Sequence, residues 1–229
     1  MAIVNEYKCM DCGLEITDDC RLFHHDGESG ETVDYMLLMN TVNLGFNSRI
    51  RGSVSETYCR DCNRYLLVYT IREIIGEVEN PCKTILEGVE KHRGNLLNEL
   101  DKLNQIKRKA EYVILEKDNH YEVTFPGLDG FFYSSYLLPH MGREEVINDA
   151  LDDFHEQIDD KFDRLQARYD RLARAMILVV DENGKMGDDG SEKVNCPECG
   201  REIDKHIKSN SKCPRCGSRM GLMKSMCCD

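Results

Sequence analysis

The sequence has no tryptophan, only five prolines among 229 residues, and an aromatic content of 7%. No apolar run approaches the roughly 20 residues that a membrane-spanning helix needs. The first residues, MAIVNEYKCMDC, lack the basic stretch and apolar core of a secretion signal. No Gly-x-x-x-x-Gly-Lys, Gly-x-Gly-x-x-Gly or Gly-x-Ser-x-Gly occurs, which removes the common phosphate-cradling, dinucleotide and nucleophile-elbow signatures. These absences leave the expectation of a cytoplasmic chain that is not an enzyme.

What is present is charge and cysteine. Charged residues make up 31% of the chain, with a net charge of −12. The charge is uneven: residues 193–226 carry eight Lys or Arg against three Asp or Glu, whereas residues 144–192 carry fifteen acidic side chains against six basic ones. The acidic body should repel nucleic acid, while the C-terminal segment tolerates weak binding to it.

Four regions follow from composition and periodicity. Residues 1–65 are cysteine-punctuated, with short strand-like pieces such as RLFHH and DYMLLMNTV. Residues 66–180 read as helical. Leu67, Ile71, Ile74, Ile75 and Val78 keep helical spacing, and Asn80-Pro81 then gives an N-cap followed by a favoured first helical residue. Leu86, Val89, Arg93, Leu96, Leu100, Leu103, Lys107, Ala110 and Ile114 follow 3-4 spacing, a coiled-coil seam with polar gaps.

A second helix is expected over 143–180, with the stripe Ile147, Leu151, Phe154, Ile158, Phe162, Leu165, Tyr169, Leu172 and Met176. Its acidic run ALDDFHEQIDDKFD reads as a solvated face. Between the helices, a connector at about 119–142 holds Tyr121, Phe125, Phe131, Phe132, Tyr133 and Tyr136, six of the chain's seventeen aromatics. Two readings stay open for these rings: a local core, or an exposed anchor for a partner protein through Phe131, Phe132 and Tyr136. Residues 181–193 form a flexible linker by composition, and 194–229 form a terminal cysteine module. The expected fold is mainly α: an antiparallel helical hairpin or coiled coil flanked by two small four-cysteine β modules. The helices could also pair between chains and give a homo-oligomer.

Eight of the twelve cysteines fall into four Cys-x-x-Cys pairs. In a chain without a secretion signal that pairing points to metal rather than disulfides. A Cys-x-x-Cys turn presents two thiolates to one ion, and two turns close a tetrahedral shell. Neighbouring pairs are the simplest partners. Cys196, Cys199, Cys213 and Cys216, in CPECG and CPRCG, resemble a zinc ribbon. Cys9, Cys12, Cys59 and Cys62, whose second pair runs into RYLLVYTIREII, resemble a treble-clef zinc finger with that segment as its helix. The N-terminal set has a rival in Cys9, Cys12, Cys20 and His24 or His25. Both resemblances imply two structural Zn²⁺ ions per chain, in closed sites that do not catalyse.

Iron is the competing ion, since rubrerythrin-type proteins join a helical body to a similar C-terminal module. No Glu stands three residues before any of the seven histidines, so the di-iron pattern of such a body is missing. Cys20, Cys82, Cys227 and Cys228 have no assigned role, and the adjacent His24 and His25 read as a solvent-facing pair. The resulting expectation is a zinc-binding interaction or regulatory protein that docks on a larger assembly. The alternatives are an accessory factor of the transcription or translation machinery, and an iron- or thiol-based redox protein.

Overall fold

Strand, not helix, follows the second cysteine pair. The computed structural model describes residues 2–18, 21–36, 47–117, 120–125, 142–181, 185–186, 192–207 and 211–228. In it β5 (Ser48–Cys59) pairs antiparallel with β6 (Arg64–Ile74). Leu66, Leu67, Val68 and Tyr69 are all buried, so this strand is covered on both faces and its apolar residues run on instead of alternating. A continuous run of this kind also satisfies helical spacing. The β-branched and aromatic residues Val68, Tyr69, Thr70 and Ile71 are the features that favour strand. The expectation of a helix through Leu67, Ile71 and Ile74 is therefore corrected.

The largest sheet has the order β4 (Thr32–Met36), β3 (Arg21–Asp26), β5, β6, β9 (Ala175–Val180). β9 runs parallel to β6. It takes up the last six residues of the expected second helix, since α2 (Arg143–Arg174) stops before the strand-forming AMILVV. Parallel neighbours need a long crossover. Here it contains α1 (Pro81–Lys109), the hairpin of β7 (Val113–Lys117) and β8 (His120–Thr124), and α2. Two three-stranded sheets complete the described elements. One has the order β13 (Met220–Cys228), β1 (Ala2–Cys9), β2 (Glu15–Asp18); the other is β10 (Lys185–Met186), β11 (Glu192–Asn195), β12 (Glu202–Asp204). Strand reaches 40% and helix 35%, so the protein is mixed α/β, neither mainly α nor a coiled coil. No described helix is long and apolar enough to cross a membrane.

The chain divides into two units: residues 1–93 with 171–229, and residues 94–170. In the first, Phe23 packs edge-on against Tyr69 at 5.2 Å. β5 bulges between Arg51 and Gly52, and a Cβ on Gly52 would lie 1.9 Å from the Thr70 carbonyl oxygen. Asp34 and Glu56 are buried carboxylates, and the last turn of α2 answers both. Arg171 pairs with Asp34, which Arg21 also approaches at 3.5 Å, and Arg174 meets Glu56 at 2.8 Å. The expected helix start holds: Asn80 Oδ1 accepts the Lys83 N–H at 3.0 Å.

The second unit has its own core of Val123, Phe125, Val146, Ala150, Phe154 and Ile158, with Phe125 stacked on Phe154 at 4.0 Å. Leu96, Leu100 and Leu103 are buried, and Glu99 pairs with Lys161 at 3.3 Å, but the expected coiled-coil seam does not form. The seam is not continuous. At its start Ile85 is buried and Leu86 is 40% exposed. At its end Ala110 takes a φ of 42° and Ile114 belongs to β7. Of the six connector rings, Phe125 joins this local core, whereas Phe131, Phe132 and Tyr136 lie outside the described residues.

Candidate metal centres

Each Cys-x-x-Cys pair sits in the bend of a β-hairpin, and the four hairpins share one register. The residue before the first cysteine pairs with the third residue after the second: Lys8 with Glu15, Tyr58 with Tyr65, Asn195 with Glu202, and Lys212 with Arg219. Within three bends the same two bonds recur. Cys9 N–H donates to Leu14 O at 2.9 Å and Gly13 N–H to Cys9 O at 2.8 Å. Cys196 and Gly200 repeat this at 2.8 and 2.9 Å, and Cys213 and Gly217 at 2.5 and 2.8 Å. The turn closes only if the residue after the second cysteine has a left-handed backbone. Gly13, Gly200 and Gly217 supply it at φ 70°, 74° and 84°, and Asn63 does so at 54°.

The hairpins do not pair with their neighbours in the chain. Cys9, Cys12, Cys213 and Cys216 form one quartet, and Cys59, Cys62, Cys196 and Cys199 form the other. The eight cysteines expected as ligands are thus brought together, but the two expected sets are corrected: the first pair joins the last, and the two middle pairs join each other. Sheet pairing is the physical reason. β1 pairs with β13 along its whole length, with Cys9 opposite Met220, so the last hairpin is carried to the first. The third is held to the second by Thr57 Oγ1 donating to Asp204 O at 2.7 Å and by the Arg201–Asp61 ion pair. Cys59 and Cys62 lead into a strand, so this is not a treble clef. Each quartet is ribbon-like, built from two hairpins distant in sequence. The rival set does not assemble either. His25 is buried with Nδ1 3.0 Å from Thr32 Oγ1, His24 packs on the Tyr35 ring, and Cys20 lies outside the described residues.

The sulfur spacing suits a metal ion. Cys9 and Cys216 Sγ are 3.4 Å apart, Cys12 and Cys213 3.6 Å, Cys59 and Cys199 3.6 Å, and Cys62 and Cys196 3.7 Å. Four sulfurs at about 2.3 Å from a tetrahedral ion stand about 3.8 Å apart, against about 2.05 Å in a disulfide. All four ligand atoms of each quartet lie within 4.8 Å of one another. Burial pushes the Cys213 thiol up to about 12 and also raises Cys12, Cys59 and Cys62, while the Ser218 N–H holds Cys216 at about 6. Four thiolates this close repel one another unless a cation sits between them. A divalent ion that binds them displaces their protons.

The centres lie on opposite faces of one strand pair. Tyr58 and Tyr65 pack with Tyr7, Leu14, Ile16 and Met220 around the first–last quartet. Cys59, Leu66 and Val68, displaced by one residue, pack with Val194 and Ile203 around the other. The Tyr58 hydroxyl, which donates to Asn63 Oδ1 and accepts from Arg215 Nε at 3.0 Å, ties a bend of one centre to a bend of the other. Sequence reading missed this linkage, although the shared hairpin spacing around each pair was visible. Compared with known proteins, the chain matches no family model, no curated protein and no solved structure.

Proposed function

We propose that this chain is a non-enzymatic zinc protein whose two ions hold together a platform that docks on a larger macromolecular assembly. The observation that carries the reading is the pair of closed quartets. Four thiolates complete a tetrahedral shell and leave no position for water or substrate, so the ions supply folding energy rather than chemistry. An interaction role follows because so much of the first unit is organised around two non-catalytic ions.

Elemental analysis of the purified chain tests the first half of this reading, with two zinc ions and no visible colour expected. An iron absorption band, or metal that cycles with reduction, supports the redox reading instead. Affinity purification from the native cell tests the second half, with recovery of a multi-component complex expected. Recovery of the chain alone contradicts it.

A further inference from the structure

The short strand that follows the first helix has an open side. Among the described residues β7 pairs only with β8, so its outer edge carries backbone donors and acceptors with no ladder partner there. Neither a bulge nor a proline interrupts it, and those are devices by which edge strands avoid further pairing. A two-stranded sheet is marginal in water, and additional strands stabilise it. The two faces of β7 also differ. Ile114 packs on the core around Val123, Phe154 and Ile158. Val113 and Leu115, on the opposite face, are 52% and 51% exposed, and Tyr112 just before them is 41% exposed.

We infer that this edge pairs with the same edge of a second copy of the chain, joining two hairpins into one antiparallel four-stranded sheet. The inference lies within the second unit and is independent of the metal reading above. A two-fold axis that joins sheets edge to edge leaves each face on its own side. Residues directly opposite must share a face, so the axis passes through a residue that meets its own copy. Centred on Ile114, the register sets Val113 opposite Leu115, Tyr112 opposite Glu116 and Glu111 opposite Lys117. Apolar then meets apolar, phenol meets carboxylate and acid meets base, and the symmetry makes each pair occur twice. Centred one residue earlier, Glu111 meets Leu115. Centred one residue later, Ile114 meets Glu116 and Val113 meets Lys117. Of these registers only the one on Ile114 is complementary throughout, and it sets the two exposed aliphatic residues of the outer face against each other. A ladder from Glu111 to Lys117 buries less than a standard interface of about 1,600 Å². The dimer is consequently weak and forms as concentration rises.

Sedimentation of the full metal-loaded chain across the micromolar range tests this, with a reversible monomer–dimer equilibrium expected. Leu115→Asp sets a carboxylate opposite Val113 and should raise the dissociation constant roughly tenfold, through two symmetry-related pairs. Val113→Asp should act alike, which guards against a folding defect peculiar to one site. Glu111→Lys brings like charges together and should weaken the dimer several-fold. Adding Lys117→Glu to the same chain reverses both partners and should restore it. Leu97→Asp, at an exposed helical position of the same unit, should change nothing. A chain that stays monomeric at its highest soluble concentration overturns the inference. So does a dimer indifferent to Leu115→Asp and Val113→Asp, or one that the double reversal fails to restore. Equal loss with Leu97→Asp moves the contact to the helices and overturns it too. The zinc reading is judged separately, by the metal content of each variant.

Discussion

The two quartets have the same pattern of two buried cysteines, one half-buried and one exposed, yet they occupy different places in the chain. The inner one joins cysteines 134 and 140 residues apart; the outer one joins cysteines 201 and 207 apart. If both closed independently, this difference would cost only about 0.4 kcal/mol, because loop entropy grows with the logarithm of length. Nesting changes the comparison. Once the inner centre is closed, the route from Cys12 to Cys213 shortens to roughly 60 residues, which favours the outer centre by about 1 kcal/mol. The inner centre also backs onto β6 and β9 of the five-stranded sheet, through Leu66, Val68, Met176 and Leu178. The outer one backs onto the sheet of β13, β1 and β2, through Tyr7, Ile16 and Met220. The C-terminal segment is thus the second half of both sites rather than an appended module.

The largest expected effect is removal of both ions. On the zinc reading proposed above, each site contributes about 10 kcal/mol or more, so a strong chelator should unfold the first unit while the core around Phe125 and Phe154 persists. Near-ultraviolet signals from Tyr58, Tyr65 and Tyr69 should vanish, with much of the helical far-ultraviolet signal retained. Simultaneous loss of both signals would show that the second unit depends on the metals. Acid acts in the same direction, because protons compete for the thiolates, and metal affinity should fall as pH falls.

Single substitutions then separate the centres. Cys59→Ser should release the inner ion and also weaken the outer one, by about fivefold from the lengthened loop alone. Cys213→Ser should release the outer ion and weaken the inner one by a similar factor, since coupling between two sites is reciprocal, and it should not confine its damage to the C-terminus. Amide exchange should rise in β1 and β2 as well, since β13 pairs with β1 and β1 in turn with β2. An outer ion unaffected by Cys59→Ser, or an inner ion unaffected by Cys213→Ser, would remove the case for nesting.

This is also where sequence reading stops. All eight cysteines, the Asn80-Pro81 helix start and the existence of two long helices were legible, because each depends on residues within a few positions. The partnership of hairpins was not, because Cys-x-x-Cys spacing specifies a bend and says nothing about which other bend faces it. β6 and β9 were lost for a related reason: LLVYTI and AMILVV are apolar at every residue but Thr70, and only their tertiary position distinguishes strand from helix. β1 and β13, which decide the metal partnership, lie at opposite ends of the chain.

A smaller effect probes the link between the centres. Tyr58→Phe removes the hydroxyl that joins Asn63 to Arg215 while keeping the ring in place. It should cost about 2 kcal/mol, two such bonds at about 1 kcal/mol each, and loosen both centres to similar extents. A chelator competition in which only one ion dissociates faster would show that the hydroxyl serves one bend alone.

The smallest effect concerns the residue after each second cysteine. Three bends use glycine there, and the inner centre uses Asn63. Glycine adopts a left-handed backbone without penalty, and asparagine is the side chain that tolerates it best. Gly200→Ala should therefore cost about 1–2 kcal/mol and weaken the inner centre. Asn63→Gly relieves the residual strain but deletes the acceptor for Tyr58, and the two changes nearly cancel. A shift within about 0.5 kcal/mol is expected from thermal unfolding. Asn63→Ala loses the acceptor and keeps the strain, so it should be clearly worse than Asn63→Gly. If the alanine and glycine variants melt together, backbone conformation is not what selects this position, and the hydrogen bond to Tyr58 alone accounts for the asparagine.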